Sequence, residues 1–161
     1  MRECSILFSF RSLATKYWQG KQHLDWNDGI SSIEDKQMRA TVIVAICTRI
    51  GDRLKSMNLS LLEIDWKGDE FSSIGRLCPN ISSITFDDNP SNDELWCPST
   101  RFDSFHRLRE LHFPPRMYLY FMSMDILNSI PKSIEILTGV HGTWKDNFFK
   151  IFHRSEHFSN F

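Results

Sequence analysis

The stretch 81–86 reads ISSITF, and the same order of apolar residues stands in LKSMNL at 54–59 and in LRELHF at 108–113. In each hexamer the first, fourth and sixth residues are apolar, and the residues between them are polar. The first residues of the three hexamers follow one another at a step of 27 (81 − 54 and 108 − 81). Because one strand-like pattern recurs at a fixed step, the sequence predicts an array of structural repeats, each supplying one short strand.

The step and the pattern L-x-x-L-x-L are typical of leucine-rich repeats, whose units are roughly 20–29 residues long. Two weaker copies flank the three clear ones, KQHLDW at 21–26 and IEILTG at 134–139. The sequence therefore predicts an α/β fold, a leucine-rich-repeat solenoid of five short parallel strands with helices on its convex side. Arrays of this kind present one extended binding surface, so the pattern favours a binding protein over an enzyme.

The repeats divide the chain into three parts. Residues 21–140 contain the degenerate leucine-rich repeats, and residues 1–20 contain two short apolar helical patches. Residues 141–161 carry three aromatic side chains at the helical spacing i, i+4 and i+8, namely Trp144, Phe148 and Phe152. Because a repeat array exposes apolar surface at each end, we expect helical caps at both ends of the chain.

Side chains of a strand alternate between the two faces of a sheet, so the pattern assigns each strand residue to an inner or an outer face. The inner pairs are Leu24 with Trp26, Met57 with Leu59, Ile84 with Phe86, Leu111 with Phe113, and Ile134 with Leu137. The first outer column is His23, Ser56, Ser83, Glu110 and Ile136. The second outer column is Asp25, Asn58, Thr85, His112 and Thr138. The third outer column is Asn27, Ser60, Asp87, Pro114 and Val140.

These outer columns form the candidate binding surface. Most of their residues are small and polar, and none of them is Lys or Arg. We therefore predict that a protein substrate binds the concave strand face, chiefly at Asn58, Thr85, Glu110 and His112. The acidic residues of the columns mildly favour a basic partner. The alternative is a solvated sheet face that binds no partner.

The connections between the strands are expected to return the chain along the convex side. A capping box, SSIE at 31–34, precedes a stripe of apolar residues at every fourth position, namely Met38, Val42, Ile46 and Ile50. Gly51 is expected to end this helix. Asp69 is expected to cap a shorter helix, whose apolar residues are Phe71, Ile74 and Leu77.

The two later connections are less regular. The stretch 87–107 is polar and contains Pro90 and Pro98, so we expect an irregular loop with a short turn around Leu95 and Trp96. A further helix is expected before Pro131, with apolar residues at Leu119, Met122, Ile126 and Ile130.

The composition argues against several classes of function. The formal net charge is −1, so no long-range field favours nucleic acid or an anionic membrane. No apolar run approaches the roughly 20 residues that a transmembrane helix needs. The four cysteines lie far apart without a metal-binding spacing, which is typical of buried thiols in a reducing compartment. We therefore expect an intracellular protein, cytoplasmic or nuclear, with no membrane and no nucleic-acid partner.

Sequence motifs for catalysis do not occur in the chain. It has no nucleophile elbow, no P-loop, no zinc-protease motif and no dinucleotide-binding glycine pattern. His153 and His157 would share one helical face, and 87–94 resembles a loose cation loop, but neither completes a metal-binding motif. We therefore predict no catalytic residue, no metal and no cofactor. A small hydrolase is the alternative, and it would use His112 and Glu110.

The N-terminal segment carries a second pattern, in which Cys4, Leu7 and Leu13 lead to Trp18 and then into the first repeat. This segment resembles the second half of an F-box. In F-box leucine-rich-repeat proteins, the F-box binds a small adaptor of the SCF ubiquitin ligase, and the repeats select the substrate. The resemblance therefore implies that these four residues bind the adaptor and that the repeats recognise a substrate protein.

A phrase inside the repeats adds to the resemblance, because LCPNISSITF at 77–86 is similar to phrases of the same family. The family's opening motif L-P-x-E-x-L-x-x-I does not precede Met1, so residues 1–20 resemble an N-terminally truncated F-box. Two alternatives stay open. Residues 1–20 are cap helices without adaptor binding, or the whole chain is a plain leucine-rich-repeat scaffold with no ubiquitin role.

Overall fold

The computed structural model describes residues 20–25, 30, 32–59, 64, 69–86, 101–113 and 128–138. The strands are β1 (His23–Asp25), β2 (Ser56–Asn58), β3 (Ser83–Thr85), β4 (Glu110–His112) and β5 (Ile136–Thr138). The helices are α1 (Lys36–Ile50), which a 3-10 turn (Gly51–Arg53) follows, and α2 (Glu70–Leu77). The predicted C-terminal cap and, apart from Gly20, the predicted N-terminal cap lie outside the described residues.

The five strands form one parallel sheet whose order in space is the order along the chain. Each strand pairs with the next in the register that the repeat predicts, with Met57 opposite Ile84 and Ile84 opposite Leu111. The two weaker copies keep that register, since Leu24 pairs with Met57 and Leu111 with Leu137. The α/β class and the five parallel strands are therefore confirmed.

Helix α1 begins one residue after an aspartate that caps it. The carboxylate oxygen Oδ1 of Asp35 accepts hydrogen bonds from the backbone N–H of Gln37 at 2.8 Å and of Met38 at 3.2 Å. The predicted capping box at 31–34 is therefore wrong, because Asp35 satisfies the first free amides of the helix. The predicted apolar stripe is confirmed, since Val42, Ile46 and Ile50 are buried and Met38 packs against the core.

Helix α2 also differs from its prediction at the first residue. Asp69 occupies the N-cap position, but its side chain caps no amide and instead accepts a bond from Arg76 Nη2 at 2.7 Å. The helix and the N-cap position of Asp69 are therefore confirmed, but its side chain does not satisfy a free amide of the first turn. Phe71 and Ile74 are buried as predicted, and Leu77 packs against the core from a partly buried position.

The core lies between the sheet and the helices. Five phenylalanines form an aromatic cluster within it. The distance between ring centroids is 5.2 Å for Phe71 and Phe105 and 5.8 Å for Phe86 and Phe113. Phe102 completes the cluster, edge-on to Phe71 at 5.4 Å. Rings in these tilted, edge-to-face and offset arrangements add to the gain from burying their apolar area.

The described end of the predicted loop 87–107 belongs to this core, which corrects the expectation of an irregular polar loop there. Phe102 and Phe105 are buried, and two turns fold the chain back between Phe102 and Leu108, with Phe105 N–H donating to Phe102 O and Leu108 N–H to Phe105 O. The spacing of three residues places these apolar side chains on one side. The predicted turn at Leu95 and Trp96 lies outside the described residues.

The predicted helix before Pro131 is described at its last residues. Residues 128 and 129 are helical, and Ile130 is buried. The hydroxyl of Ser129 is buried and accepts the backbone N–H of Phe102 at 2.9 Å, which joins this helix end to the aromatic cluster. The other residues of the predicted apolar stripe, Leu119, Met122 and Ile126, lie outside the described residues.

Candidate partner-binding surface

The outward residues of the five strands form one surface, which we call the open face. Each strand has a buried middle residue and flanking residues that are exposed or partly buried. The buried residues pack with the helices in the core, so the flanking residues point to the opposite side of the sheet. The open face therefore presents side chains and not the backbone, whose N–H and C=O groups are used in the ladder.

The first two predicted columns are confirmed in register. His23, Ser56, Ser83, Glu110 and Ile136 stand opposite one another across the sheet. So do Asp25, Asn58, Thr85, His112 and Thr138. The third predicted column, Asn27, Ser60, Asp87, Pro114 and Val140, lies outside the described residues.

The four residues that we predict to bind a partner lie together on the open face. Asn58, Thr85 and His112 are consecutive in the second column, and Glu110 stands next to them in the first. Neighbouring strands are about 4.8 Å apart, so Asn58 and His112 stand about 10 Å apart across β3. A patch of this size fits two or three side chains of a partner. The predicted adaptor-binding residues, Cys4, Leu7, Leu13 and Trp18, lie outside the described residues.

Two histidines bridge neighbouring strands on the open face. His23 Nδ1 lies 2.7 Å from the Ser56 hydroxyl, and His112 Nδ1 lies 3.0 Å from the Thr138 hydroxyl. Each bond joins two residues of one column, so it restricts the rotamers of both side chains. A partner that binds these side chains meets groups that are already ordered, which lowers the entropy cost of binding.

The charge of the open face comes from carboxylates. Asp25 and Glu110 are its acidic residues, and its two described columns contain no Lys and no Arg. The surface therefore accepts hydrogen bonds more readily than it donates them. The expected preference for a basic partner stays a prediction.

One apolar residue interrupts the polar columns. Ile136 is 43% exposed and stands opposite Glu110 in the register. Its place in the first column follows from the pattern, but it is not one of the four residues that the sequence predicts to bind a partner. An exposed β-branched residue beside ordered polar groups is a suitable anchor for an apolar side chain of a partner.

Thr138, His112 and Glu110 stand in series at one corner of the open face. His112 Nδ1 contacts the Thr138 hydroxyl, and His112 Nε2 lies 3.7 Å from Glu110 Oε2. A hydroxyl, an imidazole and a carboxylate in series are the components of nucleophilic hydrolysis. The second distance exceeds a hydrogen bond, however, and Glu110 is substantially exposed to water.

Other candidate chemistry is limited in the part of the chain that the structure describes. No group of three or more His, Cys, Asp or Glu residues that could hold a metal ion occurs among these residues. The pair His153 and His157 and the acidic stretch 87–94 lie outside them. Within the same ranges, no helix has both the length and the apolar character to span a membrane.

Two of the four cysteines are described, and both are buried free thiols, as predicted. A hydrogen bond with Cys78, together with burial, raises the pKa of Cys47 well above the usual thiol range. A protonated, buried thiol is a poor nucleophile and a poor metal ligand, which favours a structural role for Cys47. Cys4 and Cys97 lie outside the described residues.

Comparisons with known proteins found no relative of this chain. No protein-family model, no curated protein and no solved structure matches the chain. The function of the chain is therefore inferred from the open face and from the patterns of its sequence.

Proposed function

We propose that this chain is a non-catalytic protein-interaction module that holds a protein substrate on its open face. In this proposal the chain is a leucine-rich-repeat solenoid with helices on the convex side and a helical cap at each end. The observation that carries the proposal is the alignment of two outward, mostly polar columns of exposed or partly buried residues across five parallel strands. Such a surface is a common way for a repeat array to bind a partner.

The size of the open face sets how a partner must bind. Five strands about 4.8 Å apart span about 19 Å, and two columns are about 7 Å apart along each strand. The resulting area is far below the roughly 800 Å² that each side of a stable protein complex buries. A partner must therefore extend beyond the two columns, onto the ends of the strands. The open face then supplies the centre of the interface, where a few residues contribute most of the affinity.

The binding role of the open face is tested by placing bulky charges on it. We expect the double variant Asn58→Arg and Thr85→Arg to lose proteins that the wild-type chain captures from a cell extract, because two long side chains cover the centre of the face. The matched control is Thr41→Arg and Thr48→Arg on α1, where both residues are exposed. This control should keep the same proteins. Equal capture by the two double variants would contradict the proposal.

We propose further that the module belongs to an SCF-type ubiquitin ligase, in the cytoplasm or the nucleus, and presents its substrate for modification. The resemblance of residues 1–20 to an F-box supports this proposal. A pull-down with the purified SCF adaptor tests it, and we expect capture by the wild-type chain but not by a Leu7→Ala, Trp18→Ala variant. The control is Ser9→Ala in the same segment, which should still bind. Failure of a folded wild-type chain to bind would leave a plain repeat scaffold with no ubiquitin role.

A hydrolase is the second candidate, and the series Thr138, His112 and Glu110 favours it. Among the described residues this series lies on the open sheet face, and the distance from His112 to Glu110 is too long for a hydrogen bond. We therefore rank it below the interaction module. Ester hydrolysis that Thr138→Val and His112→Ala both abolish would reverse this ranking, whereas equal rates in all three proteins would remove the hydrolase from consideration.

A further inference from the structure

A row of residues lies immediately before the five strands, at one edge of the sheet. Backbone hydrogen bonds run along this row, from Lys55 N to Gln22 O, from Ser82 N to Lys55 O, and from Arg109 N to Ser82 O. The next bond, from Glu135 N to Arg109 O, extends the row to the last strand. The row fixes Lys55 and Arg109 on either side of Ser82, two strands apart.

A second row lies two residues further upstream and has its own bonds. Asn80 Nδ2 donates to Asp52 O at 2.7 Å, and Arg107 Nη1 donates to Asn80 Oδ1 at 2.8 Å. Asn80, which precedes β3, therefore contacts the segments before both neighbouring strands. It holds the guanidinium of Arg107 on the β4 side, and Arg53 follows Asp52 on the β2 side. We call Arg53, Lys55, Arg107 and Arg109 the basic edge. Its four cations precede β2 and β4, on either side of Asn80 and Ser82, which precede β3.

The charge of the basic edge is incompletely balanced. Two carboxylates are near it, with Asp52 Oδ2 at 4.0 Å from Arg53 Nε and Glu135 Oε1 at 3.2 Å from Arg109 Nη1. Among the described residues, Lys55 and Arg107 have no carboxylate partner. Four cations and two carboxylates leave a net charge of +2 here, on a chain whose total is −1.

The fold allows these cations to lie close together. Helices α1 and α2 both end at this edge, since each is followed within a few residues by a parallel strand. A helix C-terminus carries partial negative charge, which stabilises nearby cations. The basic edge therefore forms without an equal number of carboxylates, and its side chains keep donors for a ligand. Arg107 has five N–H donors and uses one of them in its bond to Asn80.

We propose that the basic edge binds an acidic segment of a protein partner. The cations that precede β2 and β4 are about 10 Å apart, because two strand spacings separate them. This distance is about three residues of a polyproline II segment at about 3.1 Å each, in which every third side chain lies on one face. Two carboxylates three residues apart therefore reach both sides of the edge, and the Arg107 fork binds one of them in a bidentate manner. The edge lies outside the open face, so this proposal does not require a partner on that face.

The neighbouring charges favour a short acidic peptide over a nucleic acid. Glu110 follows Arg109 directly and points onto the open face, where Asp25 adds a second negative charge. A continuous phosphate backbone that crossed the edge would meet these carboxylates. A short segment with two or three carboxylates interacts with the cations alone.

Fluorescence anisotropy with the full chain tests the proposal. The probe is a fluorescein-labelled nonapeptide with Glu at every third position and Ser elsewhere, and its partner peptide has Gln in place of Glu. We expect the Glu peptide to bind and the Gln peptide to bind at least about tenfold more weakly. The variant Lys55→Gln, Arg107→Gln should lose about tenfold in affinity for the Glu peptide. Raising the NaCl concentration should weaken the binding as well.

The matched control is Lys36→Glu at the exposed first residue of α1, which lowers the net charge by two, as the double variant does. It should bind the Glu peptide within about twofold of wild type, because Lys36 lies about 21 Å along α1 from the helix end at the basic edge. Exposed charges beyond a Debye length of about 10 Å are screened. Equal losses in Lys36→Glu and in the double variant, or equal binding of the Glu and Gln peptides, would overturn the proposal. So would tighter edge-dependent binding of a nine-thymidine oligonucleotide. Circular dichroism and urea midpoints confirm that each variant is folded.

Discussion

At the scale of single residues, the thiol pair between the two helices shows how close packing restricts the choice of residue. Cys47 lies in the last turn of α1, and Cys78 follows the last residue of α2. A Cβ on Gly51 would lie 2.7 Å from Cys78 Sγ and would also overlap the backbone carbonyl of Leu77, so glycine is required there by space. The prediction that Gly51 ends the helix is confirmed, because α1 ends at Ile50 and Gly51 is its C-cap residue. Its φ of −61° is helical, however, so close packing and not a left-handed conformation explains the glycine.

The raised pKa of Cys47 predicts a pH dependence of stability. The hydrogen bond with Cys78 and burial keep the folded thiol protonated, whereas the unfolded thiol titrates near its usual pKa of about 8.5. Below that pH the thiol is protonated in both the folded and the unfolded state, so its titration does not change the free energy of unfolding. Above it the unfolded state loses its proton first, so the free energy of unfolding falls as pH rises, with a slope approaching about 1.4 kcal/mol per unit.

Urea unfolding under reducing conditions at pH 7.5, 8.5 and 9.5 measures this effect. We expect Cys47→Ala to be less stable than wild type at pH 7.5 but to lose less stability as the pH rises to 9.5. Parallel pH profiles for the two proteins would show that Cys47 does not retain its proton in the folded state as we describe.

At the scale of elements, the segment from Arg101 to Leu108 shows how an irregular stretch becomes part of the core. Gly75 of α2 packs against Ser104 so closely that a Cβ would lie 2.8 Å from the carbonyl carbon of Ser104. This approach brings Phe71 onto Phe102 and Phe105. The segment therefore has the packing role of a helix, although turns form its backbone.

This packing predicts a large loss of stability on truncation within the segment. Phe102→Ala should lower the free energy of unfolding by about 3–5 kcal/mol, because a fully buried ring leaves a cavity among four other rings. The control is His106→Ala, an exposed position in the same segment, which should change stability by less than about 0.5 kcal/mol. Thermal or urea unfolding measures both. A loss below about 1 kcal/mol for Phe102→Ala would show that the segment is not packed as described.

At the scale of the whole molecule, the sequence predicts the sheet better than the details around it. Side-chain alternation and the 27-residue step are periodic, so they fix the strand order, the register and both described columns without knowledge of tertiary contacts. The capping of α1 by Asp35 depends on which of several adjacent polar residues meets the free amides, and periodicity does not choose among them. The burial of Phe102 and Phe105 could have been predicted, because these residues and Leu108 follow one another at steps of three. The polar residues before them led instead to the prediction of a loop.

The basic edge could be predicted from the sequence in part. Lys55 and Arg109 are separated by two repeats of 27, so the register alone brings them near each other. What the sequence does not give is the side-chain bonding, in which Asn80 holds Arg107 while the nearby carboxylates pair with Arg53 and Arg109. Because the charged edge adjoins the open face, a partner large enough for a stable complex would contact both surfaces.

Site-specific photo-crosslinking tests the central claim, that the open face binds a protein partner. Benzoylphenylalanine replaces Thr85 at the centre of the face in one protein and Thr48 on the exposed side of α1 in another. We predict a discrete crosslinked protein from position 85 that excess unlabelled wild-type chain competes away, and no such product from position 48. The same products at equal yield from both positions, or products at position 85 that the wild-type chain does not compete, would contradict the claim.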